Sequence, residues 1–237
     1  MVTIGELVQR IQSLYSKGVQ SDDSRLKPRQ IYSKLTTVRA KLISQQAKKR
    51  QKINQWNYQT LPCIELVEAS IYDCSCLPQL GCNVLRSKYQ IPKPLTDLDK
   101  HLIQSVSTID GSILYGETIL SQLKYRKGAK YTHNNPQYWI DNNYLFVTDK
   151  TGEGPKALRM SYIAEDPLAI ESFINYCDET CVDCEDCESV LDKEFAIDNN
   201  LVDTLIEMSI QELVILFSQS KEDMRNDTRD DIPEQGK

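Results

Sequence analysis

The chain has 237 residues, 40% of them hydrophobic, with a formal net charge of −6 and an isoelectric point near 5.1. It has no apolar stretch of roughly 18 residues, which excludes a membrane-spanning helix, and residues 1–15 lack the basic-then-apolar order of a secretory signal. The net charge conceals a split: ten Lys or Arg and no acid in residues 25–52, but twelve acids and one base, Lys193, in residues 165–198. Asymmetry of this kind points to a nucleic-acid partner, or to surfaces that meet each other or a neighbouring subunit. Eight cysteines without a leader fit a reducing compartment, in which they are free thiols or metal ligands rather than disulfides.

Along the chain, Thr3 and Glu6 have capping-box spacing. Ile4, Leu7, Val8, Ile11, Leu14 and Tyr15 then form one helical stripe that ends at Gly18. Pro28 suits a first helical turn, and Ile31, Leu35, Val38 and Leu42 carry a second helix to about Asn54. From Trp56 the pattern shortens. Strands are expected at residues 64–67, 84–89, 102–109, 112–115, 138–141, 144–148 and 157–163, with the last three forming a small antiparallel meander. Asp110-Gly111 is the strongest hairpin signal, and residues 141–143 and 151–155 are further turns.

Helical spacing returns at Asp166-Pro167, where Ile170, Phe173, Ile174 and Cys177 make a short stripe. After a cysteine-containing polar stretch, Asp198 to Asn200 can cap a strong helix over residues 201–217. Beyond Ser218 there is little to bury, so a flexible tail is expected. The expected fold class is α+β: a four-helix bundle formed by both chain ends (residues 1–55 and 165–217), an inserted antiparallel β region (56–164) and a tail (218–237).

No nucleotide-binding, hydrolase or metalloprotease motif occurs, and no catalytic residue or cofactor is assigned. Cys177, Cys181, Cys184 and Cys187 are dense enough for a zinc site. The acids between them oppose thiolate formation, however, so unliganded thiols on an acidic loop or helix end are preferred and no metal is assigned. Cys63, Cys74, Cys76 and Cys82 read as small buried thiols. His101 and His133 have no adjacent acid or nucleophile and read as surface or turn residues. Lys48-Lys49-Arg50-Gln51-Lys52, followed by Trp56 and Tyr58, could hold a phosphate backbone, although the acidic isoelectric point counts against a dedicated nucleic-acid binder.

The order of two helices, a β-rich middle and two further helices resembles the head-to-tail adaptor proteins of short-tailed bacteriophages. Residues 144–148 and 158–163, followed by Glu165-Asp166-Pro167, are similar to that family's last two strands and the start of its third helix. More narrowly, the strings at residues 3–12, 55–63 and 92–95 resemble a ring-forming virion protein of crAss-like phages. The resemblance implies a structural, non-enzymatic protein of the virion neck, present in the host cytoplasm during assembly. It implies a ring of about twelve copies that joins the portal to tail or second-ring proteins and surrounds DNA without reading its sequence, with no membrane partner. A head-to-tail ring needs two complementary faces on each subunit, and the basic and acidic segments supply them. Arg39, Lys41, Lys48, Lys49, Arg50 and Lys52 are the expected subunit, portal or DNA-channel contacts. The alternative is a zinc-dependent nucleic-acid-binding regulator that uses the basic helix and the cysteine cluster.

Overall fold

The computed structural model describes residues 2–16, 26–70, 83–97, 100–123, 135–149, 154–177 and 189–218. Two compact units emerge, one drawn from residues 1–53 and 188–237 and the other from residues 54–187.

In the first unit, helix α1 (Ile4–Tyr15) starts at the capping box. Glu6 N donates to Thr3 Oγ1 at 3.2 Å and Thr3 N donates to Glu6 Oε2 at 3.4 Å. Two further amides of the first turn are also satisfied, Ile4 N by Lys193 O at 2.9 Å and Gly5 N by Leu191 O at 2.7 Å. The second bond explains the glycine, because a Cβ at position 5 would lie 2.9 Å from Leu191 O. Helix α2 (Pro28–Lys48) begins at the proline. The third long helix, Asn199–Ser218, starts beside Asp198, whose Oδ1 accepts from Asn200 N at 3.2 Å. The buried stripes of the three helices, including Leu7, Ile11, Leu35, Ile43, Val202 and Leu205, form the core with Phe195 and Ile197.

The second unit is a sheet of seven strands: β1 (Gln59–Glu68), β2 (Asn83–Ser87), β5 (Ile103–Thr108), β6 (Gly116–Glu117), β7 (Gln137–Asp141), β8 (Tyr144–Asp149) and β9 (Ala157–Tyr162). Strands β3 (Thr96–Asp97) and β4 (Lys100–His101) pair separately. The large sheet runs β5-β9-β1-β2-β8-β7-β6 and is antiparallel except for β6–β7. Its two ends approach each other. Ser107 of β5 bridges to Leu114, and Tyr115 N donates to Val106 O at 2.9 Å, immediately before the chain enters β6. The result is a nearly closed barrel filled by Leu61, Ile64, Val106, Val147, Leu158, Met160 and Tyr162. Asn142 and Asn143, with φ of 50° and 62°, make the two-residue primed turn between β7 and β8.

The described residues form a seven-stranded, nearly closed sheet and only three long helices, and this corrects the expected four-helix bundle formed by both chain ends. The helix predicted after Asp166-Pro167 is a single turn, α4 (Leu168–Glu171); another four-residue run, α3 (Leu120–Leu123), precedes it among the described residues, so the third long helix is α5 (Asn199–Ser218). Ile170 and Phe173 pack against the barrel core, while Ile174 is exposed. A four-residue apolar stripe with a barrel beside it gains more from that core than from extending a helix with a costly nucleus.

Other expectations are corrected as well. β9 does not continue a meander from β8 but inserts between β5 and β1. α2 stops at Lys48 rather than near Asn54. Cys63 and Cys177 are joined in a disulfide with their Cα atoms 5.8 Å apart, where free thiols were expected. The segment after α4 is positioned for that bond, since Tyr176 N donates to Cys63 O at 3.3 Å. The turn at residues 151–155 falls largely outside the described residues, and the tail beyond Ser218 falls wholly outside them. Among the described residues no helix is long and apolar enough to cross a membrane.

Candidate assembly surfaces

The six cations expected at interfaces divide into three environments. Arg39 is fully buried in the helical unit. Its Nε donates to Ala196 O at 2.6 Å, and its guanidinium carbon lies 6.0 Å from the Phe195 ring centroid. It therefore ties α2 to the segment leading into α5 and is not on the subunit's surface. Lys41 is exposed but bonds to Glu212 Oε1 at 3.4 Å, and Lys34 bonds to Oε2 of the same carboxylate at 3.0 Å. The hydrogen bond from Lys34, supported by Lys41, holds the Glu212 carboxyl below its ordinary range.

Lys48, Lys49, Arg50 and Lys52 form the third environment. All are exposed, and among the described residues none of them is in an ion pair. The end of α2 is closed by two backbone bonds, Arg50 N to Ala47 O at 2.9 Å and Gln51 N to Gln46 O at 3.1 Å. This pair is a Schellman closure, whose left-handed position usually holds glycine. Here it holds Arg50, at φ 54°. Exposed Trp56 follows in the 3₁₀ turn Gln55–Asn57. The helix end thus presents four cations to solvent.

Apolar surface is exposed in several described places, among them Ile174 and residues Val214, Ile215 and Leu216 of α5; two others are a cleft and a turn. In the helical unit a cleft of about 770 Å³ runs between α1 and α5, lined by Leu14, Ile206 and Ile210 together with Arg10, Asp203 and Glu207. In the barrel unit the turn after β5 exposes Ile109, Ile113 and Leu114.

Comparison with protein families matches residues 6–232 to phage tail ring protein 2 of the crAss ring group. The chain belongs to that family. Comparison with curated proteins returns no match. The molecule is accordingly a structural, tail-associated ring protein of a bacteriophage virion. Its crAss-like character was visible in the strings at residues 3–12, 55–63 and 92–95, which occupy the start of α1, the entry to β1 and the approach to β3.

Of the four cysteines in the alternative reading's zinc site, only Cys177 is among the described residues. Cys177 is bonded to Cys63, while Cys181, Cys184 and Cys187 lie outside the described residues, as do Cys74, Cys76, Cys82 and His133. Among the described residues no group of His, Cys, Asp or Glu could hold a metal. His101 sits in β4 and is half-buried; burial pushes its pKa down, partly opposed by Glu117.

Two residues of consequence were missed as such by sequence reasoning. Glu212 had no distinguishing signal, being one of three acids on α5, with Asp203 and Glu207. Arg39 had one: it lies four residues after Leu35 and four before Ile43, in register with the buried stripe of α2.

The left-handed Arg50 allows a separation of stability from assembly. Replacing it with glycine relieves a strain of about 1 kcal/mol, less the backbone entropy of glycine. Arg50→Gly should therefore melt slightly higher than the natural protein while losing one surface cation. Arg50→Ala should lose the same cation without the gain in melting temperature. Calorimetry of both variants checks this, and a lower melting temperature for Arg50→Gly would contradict it.

Proposed function

We propose that the ring is a head-to-tail adaptor, joining the portal to the tail and framing the channel through which DNA passes. The observation that supports this most is the free basic end of α2, with Lys48, Lys49, Arg50 and Lys52 exposed on an otherwise acidic protein. In the proposal this end meets an acidic face of the portal or borders the DNA channel. Cations of this type hold a phosphate backbone or an acidic surface without reading sequence. Arg39 and Lys41 act within the subunit, the first under the surface and the second as a partner of Glu212. A copy number of about twelve and contacts to a second ring belong to the same proposal.

The test is association with the portal. The purified ring protein, mixed with the phage's own portal, should give a joint assembly in native mass spectrometry and electron microscopy. Absence of any joint assembly at micromolar concentrations would sink the adaptor role while leaving ring membership intact.

A further inference from the structure

Two of the exposed apolar surfaces have opposite shapes. One is a protrusion at residues 109–114. Gly111, at φ 72°, reverses the chain, and its N donates to Thr108 O at 2.9 Å. Thr108 Oγ1 accepts from Ile113 N at 3.1 Å, and Asp110 Oδ1 accepts from Ser112 N at 3.3 Å. The tip is thus held in one conformation by its own hydrogen bonds while Leu114 is 68% exposed and Ile109 49%. An apolar tip fixed in this way has little conformational entropy left to lose on docking.

The other surface is the cleft between α1 and α5, where Leu14 is 59% exposed. The charges around the two surfaces also correspond. Ser107 pairs with Arg159 across β5–β9 and bridges to Leu114 on its other side, so Leu114 and Arg159 project from the same side of the sheet. They stand two strands apart, about 10 Å. In the cleft, Asp203 and Glu207 are four residues apart on α5 and therefore adjacent on one face. An apolar tip with a cation beside it is complementary in charge to an apolar cleft with two acids beside it. Asp110 on the tip and Arg10 in the cleft offer a second pair of the opposite sense.

We infer that the 109–114 turn of one copy seats in the α1–α5 cleft of the next copy around the ring. A closed ring of identical subunits is built head to tail, so each copy needs two different surfaces that fit each other. A protrusion and a cleft of matching polarity meet that need. The inference rests on membership of the ring family and is independent of the portal proposal.

The test uses the purified full chain and the variants I113S/L114S and R159E, examined by native mass spectrometry and negative-stain electron microscopy. The substituted side chains are exposed, so melting temperatures should match that of the natural protein. The natural chain should close into rings. I113S/L114S should remain monomeric at concentrations at least tenfold higher. R159E should weaken closure, and R159E/E207R should restore it. Rings of I113S/L114S at the natural concentration would overturn the seating and leave ring membership standing. Lack of rescue by E207R would overturn the placement of Arg159 against α5. Failure of the natural chain to close at any concentration would remove the self-contact and this inference with it.

Discussion

Arg39→Ala should lower the melting temperature of the ring protein by roughly 6–12 °C, the equivalent of about 3 kcal/mol for a chain of this size. Arg39 is completely buried, donates to Ala196 O at 2.6 Å and packs on Phe195. Truncation removes a charge-assisted hydrogen bond. It also leaves a cavity the size of a long side chain, and cavities of that kind cost about 2–5 kcal/mol in well-packed cores. Arg39→Met should do less harm, because it fills most of the space and removes the need to bury a charge. A scanning calorimetry trace of each variant decides the matter. If Arg39 met a partner from the surface, alanine would leave melting unchanged and weaken only assembly, and that pattern would refute the internal role.

The opposite pattern is expected for the end of α2. Neutralising Lys48, Lys49, Arg50 and Lys52 together with glutamine should leave melting within a few degrees, since all four are exposed and none is in an ion pair among the described residues. Portal association should fall on the order of 30-fold per subunit contact. That figure takes about 0.5 kcal/mol for each exposed charge, about 2 kcal/mol in sum. Repetition around a ring multiplies the loss. Association of the natural protein should also weaken as salt rises from about 0.05 to 0.5 M, and that of the glutamine variant should not. Equal binding of both proteins at low salt would exclude this surface from the portal contact.

Much of the local structure was legible in the sequence because its signals are local. The capping box, the prolines at helix starts, the Asp198 cap and the Asn142-Asn143 turn each involve residues within four positions of one another. Most of the predicted strands lie where alternation and turn residues placed them. The assembly of those strands was not legible. β9 pairs with β1, about a hundred residues earlier, and with β5, and nothing in a local pattern distinguishes that arrangement from a meander.

The missing fourth helix has a similar cause. Ile170 and Phe173 have helical spacing, but three-dimensional proximity sends them into the barrel core, and the Cys63–Cys177 bond, spanning 114 residues of sequence, holds the segment there. Expecting reduced thiols hid that bond. Charge alone grouped Arg39 with Lys48, although the first is buried within the helical unit and the second is exposed on it. Only the register with Leu35 and Ile43 separates them. In the proposed function the charge split serves assembly through fewer cations than composition implied.

A reconstruction of the intact phage tail by electron cryomicroscopy tests the central claim most directly. The two units should fit as repeated copies around the tail axis, with each copy presenting different faces to its two neighbours. Copies related by two-fold axes, or single copies scattered outside any ring, would contradict it.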